Sequence, residues 1–214
     1  MKVYKWALLL VLIPAAAAAA DDAAVAMRVR AQTDFDRVTS AAFPELPDTT
    51  RCVQSQAVLL PVVGPAGEAV VRFRMGWCQL LGASLTDSRA AYGQAAREFA
   101  RAMAAWPARS LEPIPAPLQV LSGISRLQQG AEPHSLPDIR AGFEAALATR
   151  SCPDELLSPR VCQEVIALAR LWLGWTLLEQ GKLADATVHL LRFPELGWAD
   201  WSAGRQALEW GRAR

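Results

Sequence analysis

Lysine is almost missing from this chain: beyond Lys2 and Lys5 the only one is Lys182, and histidine is limited to His134 and His189. That scarcity narrows the chemistry. HExxH, GxSxG, SxxK and the glycine-rich phosphate loop ending in Lys-Ser/Thr are all absent. A structural metal site needs close cysteine pairs or histidines beside them. Cys52, Cys78, Cys152 and Cys162 have neither, so no metal and no cofactor is expected. His134 stands in "AEPHSLP", which reads as a solvated loop, and His189 in a helix, where packing or exposure accounts for it. Asp154 and Glu155 precede a helix start at Pro159, where acidic side chains favour the helix dipole. No catalytic residue stands out. The expectation is a non-enzyme, with an envelope enzyme acting on glycan or peptide through one well-placed acid as the alternative.

The chain opens "MKVYKWALLLVLIPAAAAAADD", with Lys2 and Lys5 ahead of an apolar run, Pro14 as a breaker, and small residues to Ala20. This is the three-part pattern of a secretory signal peptide, expected to span residues 1–20 and to be cleaved near Ala20. The uncharged stretch is shorter than the roughly 20 apolar residues of a membrane-spanning helix; an uncleaved anchor is the other reading. A periplasmic or secreted location follows, with no integral membrane segment after cleavage. Loss of Lys2 and Lys5 takes the 22 basic residues to 20, against 21 acidic ones. The signs are interspersed, and arginines such as Arg97, Arg101 and Arg140 are spread along the sequence, so nucleic acid is not an expected partner.

An even number of cysteines in an exported chain points to disulfides. Residues 23–42 place Met27, Ala31, Phe35, Val38 and Ala42 on one stripe of a helix, and "FPELPDTT" breaks it. A second helix, capped by Asp48 or Thr50, runs to Pro61, and "VVGPAGE" turns the chain into a third. A β-hairpin of "AVLLPVV" and "AVVRFRM" competes, but Pro61 and the spacing of Val70, Phe73, Trp77, Leu80 and Leu81 favour helices. With helices 50–62 and 67–82 antiparallel about Pro65, Cys52 lies 13 residues before the turn and Cys78 13 after it. They then face each other, leaving Cys152 to pair with Cys162. Each bridge contributes about 2–4 kcal/mol on the loop-entropy model.

The remaining elements are helical as well: "AAYGQAAREFARAMAAW", "LQVLSGISRLQQG", "LPDIRAGFEAALA", a long helix from Ser158 to Gln180, "KLADATVHLLRF", and a capping helix over 200–212. Ser158 is the expected N-cap with Pro159 at the first helical position, and Gly181 the left-handed stop. The segments "RMGWCQLL", "LSGISRLQ" and "WLGWTLLE" align on Gly76, Gly123 and Gly174. The following helices also repeat: Tyr92, Leu136 and Leu183 lead, then come Ala95, Ile139 and Ala186, then Phe99, Phe143 and Leu190, and finally Ala102, Ala146 and Phe193. A helix-interior glycine costs about 1 kcal/mol relative to alanine. Its recurrence implies a close helix approach, for which Ala95 and Ala186 are the expected small partners.

"LGWTLLEQGKLADA", with Leu173, Gly174, Gly181 and Ala186, and "YGQAAREFARAMAAWP", ending on Pro107, resemble the tetratricopeptide repeat family over roughly residues 67 to 198. The first unit carries about seven extra residues in "GASLTDSR" and the second about four in "AEPHS". The resemblance implies an all-α fold: a single helical-repeat domain over 21–214, built as a right-handed stack of antiparallel helix hairpins. Its units lie at about 67–107, 116–150 and 158–198, with an N-terminal helix pair and a C-terminal capping helix. The first helices of such hairpins line a concave groove. Carried over, the groove consists of Phe73, Trp77 and Leu80, then Val120, Ile124 and Leu127, then Leu171, Trp175 and Leu178. It is apolar, unlike a carboxylate-binding groove lined by Lys and Arg. The implied function is an exported scaffold or adaptor holding a protein or peptide partner. The groove filled by helix 23–42 or by a second copy, as in a structural homodimer, is the other reading. Trp198, Trp201 and Trp210 are expected to pack the capping helix or to form a contact patch.

Overall fold

The structure, a computed structural model, describes residues 4–40, 48–108 and 112–191. The expected capping helix, Trp198, Trp201 and Trp210 lie outside the described residues, as does the end of the third unit. Eight α-helices are described: α1 Tyr4–Ser40, α2 Thr49–Ala57, α3 Gly64–Thr86, α4 Arg89–Ala105, α5 Ala116–Gln128, α6 Leu136–Thr149, α7 Pro159–Glu179 and α8 Leu183–Leu191. Short 3-10 turns cover Trp106–Ala108 and Pro133–Ser135, and no strand occurs among the described residues. The competing β-hairpin is therefore not formed.

Local chemistry explains most of the boundaries. Asp48 accepts a hydrogen bond from the Arg51 amide at 2.9 Å and caps α2. Ser88 does the same for α4 through the Ala91 amide, at 3.3 Å. Gly181 ends α7 with φ +71°, as its position implied. The amides of Gly181 and Lys182 each donate at 2.9 Å, to the carbonyls of Leu178 and Leu177. That pair of bonds is the Schellman arrangement, which satisfies carbonyls a helix end otherwise leaves unpaired.

Three boundaries and one cap bond depart from expectation. Pro14 does not break α1, which continues from Tyr4 through the alanines to Ser40; the run of alanines, the strongest helix former, carries the helix on despite the lost ladder bond and the steric clash of the proline ring. α2 stops at Ala57, short of Pro61, and turns carry the chain to Gly64 at φ +63°, with Pro65 in the first turn of α3. The extra residues of "GASLTDSR" lengthen α3 as further helical turns, leaving only Asp87 and Ser88 as the connection. Ser158 occupies the N-cap of α7, but its side chain makes no capping bond. Its carbonyl takes the Cys162 amide at 2.9 Å.

Packing follows chain order. α3 packs with α4, α5 with α6 and α7 with α8. Each hairpin then meets the next through α4 with α5 and α6 with α7, while α3 meets α5 and α5 meets α7. One large buried cluster runs through all these helices, and a smaller one gathers Ala31, Leu59, Val71 and Met75 where α1, the α2–α3 turn and α3 meet. α7 is long and apolar enough to cross a bilayer by composition. Its buried residues, Val165, Ile166, Ala169, Leu173 and Leu177 among them, belong to the large cluster, as in the core helix of a globular fold.

The recurring glycines have one structural meaning. A Cβ added at Gly76 would meet the Phe99 ring at 2.8 Å, one at Gly123 the Phe143 ring at 2.7 Å, and one at Gly174 the Leu190 side chain at 2.7 Å. The side chain seated against each glycine is thus the large residue of the facing helix, in the same register in three hairpins. The expected small partners, Ala95 and Ala186, do not fill this role, although the Ala186 carbonyl lies 3.3 Å from a Cβ at Gly174. Alanine has no atoms to occupy the notch, and a ring or isobutyl group does, gaining dispersion contacts that offset the helix cost of glycine.

Candidate functional site

The first helices of the three hairpins, α3, α5 and α7, stand side by side and carry the nine residues named from the sequence. Their exposure differs along the row. Phe73 and Val120 are fully buried, while Ile124 is 7% and Trp77 9% exposed. Leu80, Leu127, Leu171 and Trp175 are half-buried, and Leu178 is exposed at 37%. An open groove running the whole length of the row is therefore not what these residues form. Phe73 packs within 6.3 Å of Trp77 and 6.0 Å of Phe99, centroid to centroid, so its ring belongs to the interior of the α3–α4 hairpin.

Two segments close the α3 end. On one side stands the second half of α1. Phe35 and Val38 enter the large cluster, and the Arg74 guanidinium sits 4.9 Å above the Phe35 ring, a cation–π distance. α1 is tied to α2 by the Gln56 side-chain amide donating to the Ala31 carbonyl at 2.8 Å. A buried Asp34, paired with Arg51 at 3.1 Å, adds a second tie. α2 is in turn joined to α3 by Cys52 and Cys78, whose Cα atoms lie 6.1 Å apart.

The second segment is the connection between α6 and α7, residues 150–158. Leu156 and Leu157 are buried in the large cluster, and Arg74 donates through Nη2 to the Glu155 carbonyl at 2.9 Å. Cys152 and Cys162, with Cα atoms 6.2 Å apart, hold this connection to the first turn of α7. The Ala116 amide donates to the Ser151 carbonyl at 3.0 Å, tying it also to the start of α5. Sequence spacing picked out the cysteine pairs. It did not mark "DELLSP" as a cover for α3, because nothing local distinguishes two buried leucines in a loop from the start of the next helix.

The polar chemistry near the row is structural. Glu98, buried on α4, accepts from Arg72 of α3 at 3.0 Å and from Arg101 at 2.6 Å. Burial lowers the pKa of Arg72, but hydrogen bonds and charge from Glu98 and Glu68 outweigh it and hold the guanidinium above its ordinary value. By linkage, the stability tied to this raised pKa is lost as pH rises through the arginine range. Among the described residues no three metal-ligating side chains gather at one point. Asp154 is exposed in the α6–α7 connection, and Glu155 is exposed beside it.

Comparisons with family models, with curated proteins and with solved structures find no match for this chain. The residues therefore carry the functional reading by themselves.

Proposed function

We propose that this protein is an exported, non-enzymatic helical-repeat scaffold with tetratricopeptide-like, right-handed stacking of its hairpins. It holds a protein or peptide partner at the α7 end of its first-helix row. Three observations support the repeat: the shared glycine notch, the order of hairpin contacts, and the side-by-side α3, α5 and α7. Two cysteine pairs at disulfide distance fit an oxidising compartment, periplasmic or extracellular.

The observation that carries the binding reading is the graded exposure of the row. Phe73 and Trp77 on α3 and Val120 and Ile124 on α5 are buried, with Leu80 and Leu127 half-buried, whereas on α7 Leu171 and Trp175 are half-buried and Leu178 is exposed, all three on one helix face. Leu183 and Val188 on α8 add exposed apolar surface to the same hairpin. Apolar side chains grouped in this way mark interaction surfaces more often than scattered ones do, and a half-buried tryptophan is a common anchor of a binding interface.

A photo-crosslinking residue in place of Trp175, in the full chain expressed in its native host, should capture one discrete partner. Adding Leu178→Glu should abolish capture while leaving helicity and the unfolding midpoint unchanged. Capture that persists with Leu178→Glu, or no capture at all, overturns the reading. A second copy of this chain as the captured species replaces the adaptor with a structural homo-oligomer.

A further inference from the structure

Folding brings together three arginines that are scattered in the sequence. An open surface cavity of about 600 Å³ lies between α4, the C-terminal end of α5 and the α5–α6 connection, and it is lined by the exposed Arg89 and Arg97 and the half-buried Arg126. Elsewhere the arginines near carboxylates are paired: Arg51 with Asp34, Arg72 and Arg101 with Glu98, Arg140 with Glu144 and Arg160 with Glu164. Arg89, Arg97 and Arg126 have no ion pair among the described residues. The cavity holds a single carboxylate, Glu132, against the three guanidinium groups.

Two helix ends meet there: Arg126, in the last turn of α5, answers the negative end of that helix, and the positive end of α4 is left without an anion. Arg89 is the first residue of α4, where the helix dipole already places partial positive charge, and no acidic residue stands in that first turn. A cation is the less favourable choice at this end of a helix, and an anion bound there relieves the conflict. Gly93 forms part of the wall: a Cβ there would lie 2.9 Å from the Gln129 side-chain oxygen and 3.6 Å from Arg97 Nη1. Its absence lets both polar groups lie close over the α4 backbone. Gly130, at φ +95°, turns the chain out of α5 along the opposite rim. The remaining lining is polar or small, with Gln94, His134, Ser135 and two alanines and no large apolar side chain.

From this geometry we propose that the cavity is a binding site for a small, hydroxyl-bearing polyanion, carrying a phosphate or two or more carboxylates. Planar guanidinium forks grip both groups by paired N–H donors. Three of them against one carboxylate call for a ligand of at least two negative charges. The volume falls in the range of small-molecule pockets and exceeds what a lone ion fills. Gln94, Gln129, His134 and Ser135 supply further polar groups for the hydroxyls, and no Phe, Tyr or Trp lines the site. The site lies on α4 and α5, away from the α7 surface assigned to a partner, and stands or falls independently of it.

The test is calorimetric titration of the full chain at low salt with inorganic phosphate, a sugar monophosphate, citrate and an uncharged sugar. At least one anion should bind saturably at one site per chain while the uncharged sugar does not; which anion binds identifies phosphate or carboxylate as the group recognised. Arg97→Gln and Arg126→Gln should each weaken that binding by roughly tenfold or more. Arg160→Gln, whose parent side chain pairs with Glu164 on α7, should leave it unchanged, with circular dichroism confirming that all three variants fold. Absence of saturable binding by every anion, or an equal loss in Arg160→Gln and Arg97→Gln, overturns the proposal.

Discussion

Hairpin α3–α4 seats Phe99 against Gly76, and hairpin α7–α8 seats Leu190 against Gly174 in the same register. Yet Phe73 and Trp77 on α3 are buried, whereas their counterparts Leu171 and Trp175 on α7 are half-buried. The internal joint of the two hairpins is shared, and the covering of their outer faces is not. α1, α2 and the 150–158 connection are laid on the first hairpin, while the third keeps apolar side chains partly open. The joint reflects what every unit needs in order to fold, and the covering is where units acquire separate roles.

Charge substitution separates the two regions most sharply. Trp77→Glu places a carboxylate in the core beside Phe73 and should abolish cooperative unfolding, since an unpaired buried charge costs several kcal/mol. Leu178→Glu, on the third hairpin, should stay within about 0.5 kcal/mol of the parent. Urea denaturation followed by circular dichroism measures both, and equal damage from the two changes would erase the distinction between a closed and an open end.

Truncating the side chain in the notch gives a smaller contrast. Phe143→Ala removes a fully buried ring and should cost about 3–5 kcal/mol. Leu190→Ala removes a half-buried group and should cost less than about 2 kcal/mol. A shift in denaturation midpoint for Leu190→Ala as large as that for Phe143→Ala would show the third hairpin to be as tightly closed as the second.

The smallest effect comes from filling the notch itself. Gly123→Ala forces a Cβ against the rigid Phe143 ring and should destabilise by about 1–2 kcal/mol, after allowing for the better helix propensity of alanine. At Gly174 the opposing atoms belong mainly to the flexible Leu190 side chain, so Gly174→Ala should cost less than about 1 kcal/mol. Thermal melts of the two variants side by side resolve the difference. A larger loss at Gly174 would mean that the nearby Ala186 carbonyl, and not the side chain, sets the limit.

How much of this was legible in the sequence follows from range. The helices, the caps at Asp48 and Gly181, and the cysteine pairs rest on spacings of a few to a few tens of residues, and these could be read directly. The glycine register is legible, but its partner is not: spacing points to Ala95 and Ala186, the small residues one turn before the ones that fill the notch. Phe99, Phe143 and Leu190 fill it instead, since an empty notch between two small residues would leave a void. The closed α3 end was hidden because Arg74 and Glu155 are 81 residues apart. The arginine cavity was hidden for the same reason, its members coming from two helices with a stretch of loop between them.

The clasp between Arg74 and the Glu155 carbonyl also bears on how the chain holds together under stress. In a linear array each unit depends only on its neighbours, so the array can fray from either end and tolerate truncation. Here the strap leading into the last hairpin reaches the first through Arg74 as well as the middle one through Ala116. Cutting the chain before Cys152 strips the cover from α3 at the opposite end of the row. The first and last hairpins thereby share one covering segment, and losing it is expected to weaken both.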